Sequence, residues 1–228
     1  MRVISIDKSS SLKSTNREST TRESTTRESN TLESSSPSES PLNGDFEYLP
    51  AWLSEASAKH LFADLMTNLC WQQPSITLYG KQHPIPRLQA WLGDHPHKYR
   101  YSGQDFIADI WPDSVADIAR DISAETGVLM NSVLVNLYRD GQDSMGWHAD
   151  DEPELGPDPV IASLSLGATR DFALRRTGTT RQAGRIALSD GSLLVMKAGM
   201  QSRWQHALPK RARVKLPRIN LTFRQIIV

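Results

Sequence analysis

The spacing of hydrophobic positions changes twice along this chain, and each change marks a different kind of element. Leu61, Phe62, Leu65 and Leu69 recur at three- and four-residue steps, the rhythm of one helix face, and predict a helix over 54–68. The same rhythm returns in Val115, Ile118, Ala119 and Ile122. There a capping pattern from Ser114 to Asp117 starts the helix and Gly127 stops it. Between the two, 71–112 is rich in Pro, Gly, Tyr and Trp and reads as hairpins and loops. After Gly127 the spacing shortens to β runs at 132–138, 160–166, 171–175, 191–196 and 217–227, broken by turns such as Asp140-Gly141 and Asp190-Gly191. Two helices followed by many strands predict an α+β domain built on an antiparallel sandwich or barrel.

Residues 1–44 have no such pattern. Of these, 19 are Ser or Thr, and a five-residue unit recurs as Thr21-Arg22-Glu23-Ser24-Thr25 and Thr26-Arg27-Glu28-Ser29-Asn30. With almost nothing apolar to offset the entropy of ordering, this tail is expected to be disordered, leaving 45–228 as the folded domain.

Formal charge balances at 26 basic against 26 acidic residues, but the balance is segregated. Residues 45–169 hold 7 basic and 18 acidic side chains, whereas 170–228 hold 13 and 2. The basic block, including Arg175, Arg176, Arg181, Arg185, Lys210, Arg211, Arg213 and Lys215, has two readings: it neutralises the acidic half, or it forms a cationic face for a polyanion such as nucleic acid. No apolar run approaches the roughly 20 residues that a spanning helix needs, so no membrane association is expected. One cysteine, Cys70, cannot close an internal disulfide, and MRVISIDKSS lacks the apolar core of a secretory signal. Both point to an intracellular protein.

Candidate chemistry begins at His148-Ala149-Asp150. In extended chain, side chains at i and i+2 share a face, so an imidazole and a carboxylate can reach one ion. By itself the pair also fits a solvated acidic loop running on through Asp151, Glu152 and Glu154. The run 217–224 adds weight: period two puts Arg218, Asn220, Thr222 and Arg224 on one wholly polar face and Ile219, Leu221 and Phe223 on the other. That face suits water, and it equally suits a dicarboxylate, which a guanidinium fork pairs bidentately. Val133 to Tyr138 repeats the arrangement with Asn136 and Tyr138. His206, alone a candidate core histidine, then has a use, because two His and one carboxylate hold one side of an octahedral Fe(II) and leave positions for an oxo acid and dioxygen.

These residues carry a resemblance. From about Tyr48 to Val228 the chain resembles the AlkB family of DNA-repair dioxygenases, and looks most similar to its duplex-acting animal homologues. The matching stretches are Asn136-Leu-Tyr138-Arg-Asp-Gly141, Gly146-Trp-His148-Ala-Asp150-Asp-Glu152, Ile161-Ala-Ser-Leu-Ser-Leu-Gly167, Arg170-Asp-Phe172, Gly191-Ser-Leu-Leu194, His206 and Pro217-Arg-Ile-Asn-Leu-Thr-Phe-Arg224.

The resemblance implies a double-stranded β-helix (jelly roll) core over about 130–228, with N-terminal helices and a nucleotide-recognition lid over about 71–112. It implies Fe(II) on His148, Asp150 and His206, and 2-oxoglutarate on Asn136, Tyr138, Arg218, Asn220, Thr222 and Arg224. Tyr79, Gly80, Lys81, Tyr99, Arg100, Tyr101 and Asp151 match positions that contact or stack on nucleic acid. The implied activity is oxidative dealkylation of DNA bases such as 1-methyladenine, 3-methylcytosine or etheno adducts, with succinate, CO2 and formaldehyde released. The protein would act as a monomer, cytoplasmic in a bacterium and nuclear in a eukaryote. The same chemistry on RNA is a rival. A non-catalytic jelly-roll nucleic-acid binder and a zinc hydrolase are rivals of other classes, and neither needs both Arg218 and Arg224.

Overall fold

The computed structural model describes residues 44–227 apart from Tyr79, His97, Ser102 and Gly103, and does not describe the side chains of Leu78, 98–101 and 104–106. The expected tail, 1–43 of it, lies outside the described residues. The chain runs through β1 (Phe46–Leu49), α1 (Glu55–Asn68), β2 (Ser75–Leu78), β3 (Lys81–Pro84), β4 (Leu88–Gly93), β5 (Lys98–Tyr101), β6 (Gln104–Ile107), β7 (Asp109–Ile110), α2 (Asp113–Thr126) and β8 (Ser132–Tyr138). It continues through β9 (Met145–His148), a 3-10 turn (Pro153–Leu155), β10 (Ile161–Gly167), β11 (Arg170–Arg176), β12 (Gln182–Leu188), β13 (Ser192–Met196), α3 (Met200–Arg203), β14 (Trp204–Leu208) and β15 (Arg218–Arg224).

Both helices form where the periodicity predicts them. Ser54 caps α1 by accepting from the Ser57 N–H, and Gly127 ends α2 in the left-handed conformation. The start of α2 differs from expectation. Pro112 sits at the cap with no side-chain hydrogen bond, and Ser114, already inside the helix, donates to Asp64 Oδ2 at 3.1 Å, so its hydroxyl ties α2 to α1.

A seven-stranded sheet in the order β1-β13-β10-β15-β8-β4-β7 and a four-stranded sheet in the order β12-β11-β14-β9 make the double-stranded β-helix. Alternation along the central strands sorts two cores. Val133, Val135 and Leu137 of β8, with Ile219, Leu221 and Phe223 of β15, pack outward against Leu61, Leu65, Val115 and Ile122 of the helices. The opposite face looks into the space between the sheets, where Leu134, Ile161 and Leu194 meet Phe172, Leu174 and Trp204. Each fully buried aliphatic or aromatic side chain contributes about 1.5–3 kcal/mol. The polar faces of β8 and β15 therefore point not at water but into the sandwich.

One boundary moves. β4, within the span expected to be lid, pairs along its length with β8, Leu88 opposite Leu137 through Gly93 opposite Ser132, and belongs to the main sheet. Its apolar Leu88, Ala90 and Leu92 face the helices. The rest of that span forms two separate hairpins, β2–β3 and β5–β6, outside both large sheets.

The loops 139–144 and 209–217 are zipped together at Gly141, whose N–H donates to Val214 O at 2.9 Å and whose carbonyl accepts from the Arg211 N–H at 2.7 Å. Buried Arg170 clamps the same loops through the carbonyls of Asp140, Asp143 and Pro209 at 2.8–3.0 Å. A β-carbon on Gly141 would stand 1.7 Å from Arg211 O. Gly141→Ala should therefore destabilise the protein by about 2 kcal/mol or more, read as a lower denaturation midpoint. An unchanged midpoint would mean that the two loops are not joined in this way.

Candidate metal and cosubstrate site

His148 ends β9, and its register partner across the antiparallel pair is His206 of β14. Cross-strand neighbours stand close on one face, so pairing alone brings the two rings to a centroid separation of 4.2 Å. Asp150, just past the end of β9, completes the set. His148 Nε2 lies 3.9 Å from Asp150 Oδ1, and His206 Nε2 lies 3.8 Å from Asp150 Oδ2. These separations are too long for hydrogen bonds and leave a gap for an ion, with one ligand atom from each residue within 4.8 Å of the others.

Tautomer and charge are suited to a metal. His148 Nδ1 lies 2.8 Å from the Gly146 carbonyl. Because a carbonyl only accepts, Nδ1 carries the proton and Nε2 presents its lone pair. For His206, burial and then repulsion from His148 bring the pKa down to about 3, so the ring is neutral at physiological pH. Burial pushes the Asp150 carboxyl up, but attraction to and a hydrogen bond from Arg224 outweigh it and hold the carboxyl below the usual carboxylate range. Arg224 Nη2 donates to Asp150 Oδ1 at 2.8 Å, a pair in which each residue is only 3% exposed.

Beyond the ion pair the cavity is built by the polar face of β15. Arg218 is 2% exposed and donates from Nη2 to Ser165 Oγ at 2.9 Å and to Asn220 Oδ1 at 2.8 Å. Asn220 in turn donates to Thr222 Oγ1 at 2.7 Å and accepts from Ser163 Oγ at 2.8 Å. Burial lowers the Arg218 pKa to about 10, still far above neutrality. Among the described residues Arg218 has no carboxylate partner, and its Nε is buried without an acceptor. Asn136 of β8 stands opposite Asn220 and Tyr138 opposite Arg218, whose guanidinium carbon lies 5.5 Å from the Tyr138 ring centre. The eight residues predicted to hold metal and 2-oxoglutarate on these strands, together with Asp150, thus line one cavity.

The predicted nucleic-acid contacts are described only in part. Gly80 turns the β2–β3 hairpin at φ +75, a value that favours glycine, and Lys81 beside it is exposed. Tyr79 lies outside the described residues, as do the side chains of Tyr99, Arg100 and Tyr101, although their backbone forms β5. Asp151 is exposed next to Asp150.

Four residues escaped the reading of the sequence. Ser163 and Ser165 had a signal, since they alternate with Ala162, Leu164 and Leu166 and so share a face. Arg87, whose Nε donates to Asn136 Oδ1 at 2.8 Å, had none, being inside the presumed lid. Nor did Gln201, whose Oε1 accepts from the Asp150 N–H at 3.0 Å.

Residues 45–224 match the 2OG-Fe(II) oxygenase superfamily. Alpha-ketoglutarate-dependent dioxygenase alkB homolog 3 of Bos taurus is 37% identical over 185 residues, covering 78% of this chain and 64% of that protein. DNA oxidative demethylase ALKBH2 of Homo sapiens is 34% identical over 215 residues, covering 83% and 82%, and its Arabidopsis thaliana namesake is 32% identical over 209 residues, covering 80% and 67%. The chain spans about two thirds of the length of the alkB homolog 3 proteins it matches. The solved structure of OsALKBH1 shares the fold, with a TM-score of 0.58 at 18% identity over 79% of this chain and 98% of that one. The superfamily takes its name from Fe(II) and 2-oxoglutarate, and the donor set fits both: nitrogen and carboxylate ligands around one gap, and a buried guanidinium lacking an anion. The chain belongs to the AlkB family of 2OG-Fe(II) oxygenases.

Proposed function

We propose that the protein is a DNA oxidative demethylase, an Fe(II)- and 2-oxoglutarate-dependent dioxygenase acting on 1-methyladenine and 3-methylcytosine, with etheno-bridged bases as further substrates. The observation that carries this reading is the meeting at one cavity of three metal-ligand atoms within 4.8 Å and a buried guanidinium with an unpartnered Nε. The names of the relatives, dioxygenase and DNA oxidative demethylase, support the choice of reaction and substrate.

His148, Asp150 and His206 hold Fe(II), which when bound supplies the activation of dioxygen that no side chain provides. His206 needs to shed no proton to ligate, and Asp150 is already ionised. Arg218, kept rigid by Ser165 and Asn220, receives the far carboxylate of 2-oxoglutarate, with Tyr138 beside it. Asn136, Thr222 and Arg224 complete that pocket, and Arg224 also keeps the Asp150 carboxylate aimed. Leu134, Phe172 and Leu208 make apolar walls that exclude water from the reacting carbon. The products are succinate, CO2 and formaldehyde.

Tyr79, Gly80, Lys81, Tyr99, Arg100 and Tyr101 hold the nucleic acid, and Asp151 meets the exocyclic amine of the damaged base. Such a base pairs badly, so its extrusion costs less than that of a sound one. On this reading the protein works as a monomer inside the cell, in the cytoplasm of a bacterium or the nucleus of a eukaryote.

With Fe(II) and a 1-methyladenine oligonucleotide, succinate should be released in step with demethylation. Asp150→Asn and His206→Ala should fall to background while remaining folded by circular dichroism. Robust turnover by either variant would refute the ligand assignment, and turnover on RNA alone would transfer the reading to RNA.

Arg218→Met removes a buried charge that has no carboxylate partner while keeping its length. Affinity for 2-oxoglutarate should drop by about 2 kcal/mol or more in calorimetric titration, while the ligand-free protein unfolds no earlier than the parent. Loss of stability with unchanged affinity would make Arg218 a structural residue instead.

Tyr79→Ala should lower activity on a lesion in duplex DNA far more than on the same lesion in a single strand, because only the duplex needs a wedge to offset unstacking. Equal losses would assign Tyr79 to packing within the lid.

A further inference from the structure

Asp150 lies beyond the last residue of β9, so no sheet ladder holds its backbone. Its N–H is buried with the rest of the residue, and such a donor left unpaired is costly. The acceptor it finds is the side chain of Gln201, at 3.0 Å. Gln201 is itself 3% exposed, and its amide has only one workable orientation. Nε2 faces two thioethers, Met196 Sδ at 3.5 Å and Met200 Sδ at 3.6 Å. These are weak acceptors, whereas a flipped amide would set a donor against the Asp150 N–H.

The segment carrying Gln201 is firmly anchored. Gly199, at φ +77, makes the turn into α3, and the Met200 N–H closes it on Lys197 O at 3.0 Å. At the far end Trp204 Nε1 donates to Asp45 Oδ2 at 2.6 Å, Arg203 pairs with the same carboxylate, and the Arg176 guanidinium lies 3.9 Å over the Trp204 ring. His206 follows directly on β14. One short stretch of chain therefore delivers a metal-binding imidazole and also grips the backbone of the metal-binding carboxylate.

We infer that Gln201 is a positioning residue of the metal centre, its side-chain carbonyl fixing the Asp150 backbone so that the carboxylate stands ready opposite His148 and His206 before any ion arrives. The inference rests on the proposed iron site and deepens it. Partners outside the ligand set typically change metal affinity 10- to 100-fold, and a backbone hold on one ligand of three belongs at the lower end.

The test is Co(II) titration of the full chain without 2-oxoglutarate or nucleic acid, followed by the visible ligand-field spectrum. Gln201→Met keeps length and volume but removes the acceptor. It should bind Co(II) about tenfold more weakly, with an altered spectrum, while the metal-free protein stays folded with a somewhat lower denaturation midpoint, the cost of the unpaired Asp150 N–H. Met200→Leu, which disturbs the packing of the amide but not its acceptor, should leave affinity and spectrum unchanged. Gln201→Asn, which draws the carbonyl back, should shift both in the same direction as Gln201→Met and serves if that variant does not fold. Parental affinity and spectrum in the folded Gln201 variant, or an equal loss in Met200→Leu, overturns the inference. Failure of the parent protein itself to bind Co(II) overturns the iron site beneath it.

Discussion

A carboxylate and a guanidinium, each almost wholly removed from water, meet at 2.8 Å between the two sheets, Asp150 from the end of the smaller sheet and Arg224 from the centre of the larger. Desolvating such charges costs several kcal/mol per ion, so each offsets the cost of burying the other, and their pairing ties the two sheets together at the cavity. Arg218 adds a second guanidinium, leaving two buried cations against one carboxylate. A divalent metal alone would deepen that excess and a dicarboxylate alone would reverse it. Bound together they offset one another, so the charges lining the interior make the metal and cosubstrate pockets complementary.

This arrangement explains which part of the site was legible in the sequence. Period two on β8 and β15 separates polar from apolar faces, and the separation is real: Val133, Val135 and Leu137, with Ile219, Leu221 and Phe223, lie in the core beneath the helices. An ordinary amphipathic strand turns its polar face to water. Here all seven residues of β15 are buried, because helices cover one side of the strand and the second sheet covers the other. Two Arg with Asn and Thr on such a face need a ligand or one another; residue types offered a dicarboxylate as one of two readings, and the covering of both sides of the strand decides between them.

The convergence of the metal ligands could not. His148 and His206 meet only because β9 and β14 pair in one register, and neither strand has a pattern that stands out: Met145–His148 contains a glycine, and Trp204–Leu208 is too short to show alternation. What grouped them in the sequence was the coordination that Fe(II) requires, reinforced by the resemblance to a family, and not any pattern of the strands. β4 was hidden for a related reason. It lies in a segment dominated by turn formers, and its inward residues, Gln89 and Trp91, do not form a uniformly polar or apolar face. The hydroxyl of Ser114 was misread because a cap pattern reports local hydrogen-bonding capacity, and here a neighbouring helix outcompeted the backbone for it.

The basic C-terminal block divides between its two readings. Asp171, on the face of β11 opposite Phe172 and the metal ligands, pairs with Arg211 at 2.6 Å and Arg185 at 3.7 Å, so part of the block is neutralised within the fold. Arg175 lies 4.5 Å over the Trp147 ring and donates twice to Gln205, while Arg176 covers Trp204. Aromatic and amide contacts fix a guanidinium without cancelling its charge, so these two still contribute to the outward field. Arg181, Lys210, Arg213 and Lys215 are exposed and, among the described residues, have no acidic partner within ion-pair distance. The outward positive field therefore comes from a subset of the block, fixed in direction at the stacked arginines and left unneutralised at the exposed ones. Since each phosphate contact steepens the dependence of binding on salt, a polyanion held here would show a shallower slope than the thirteen basic residues of 170–228 suggest.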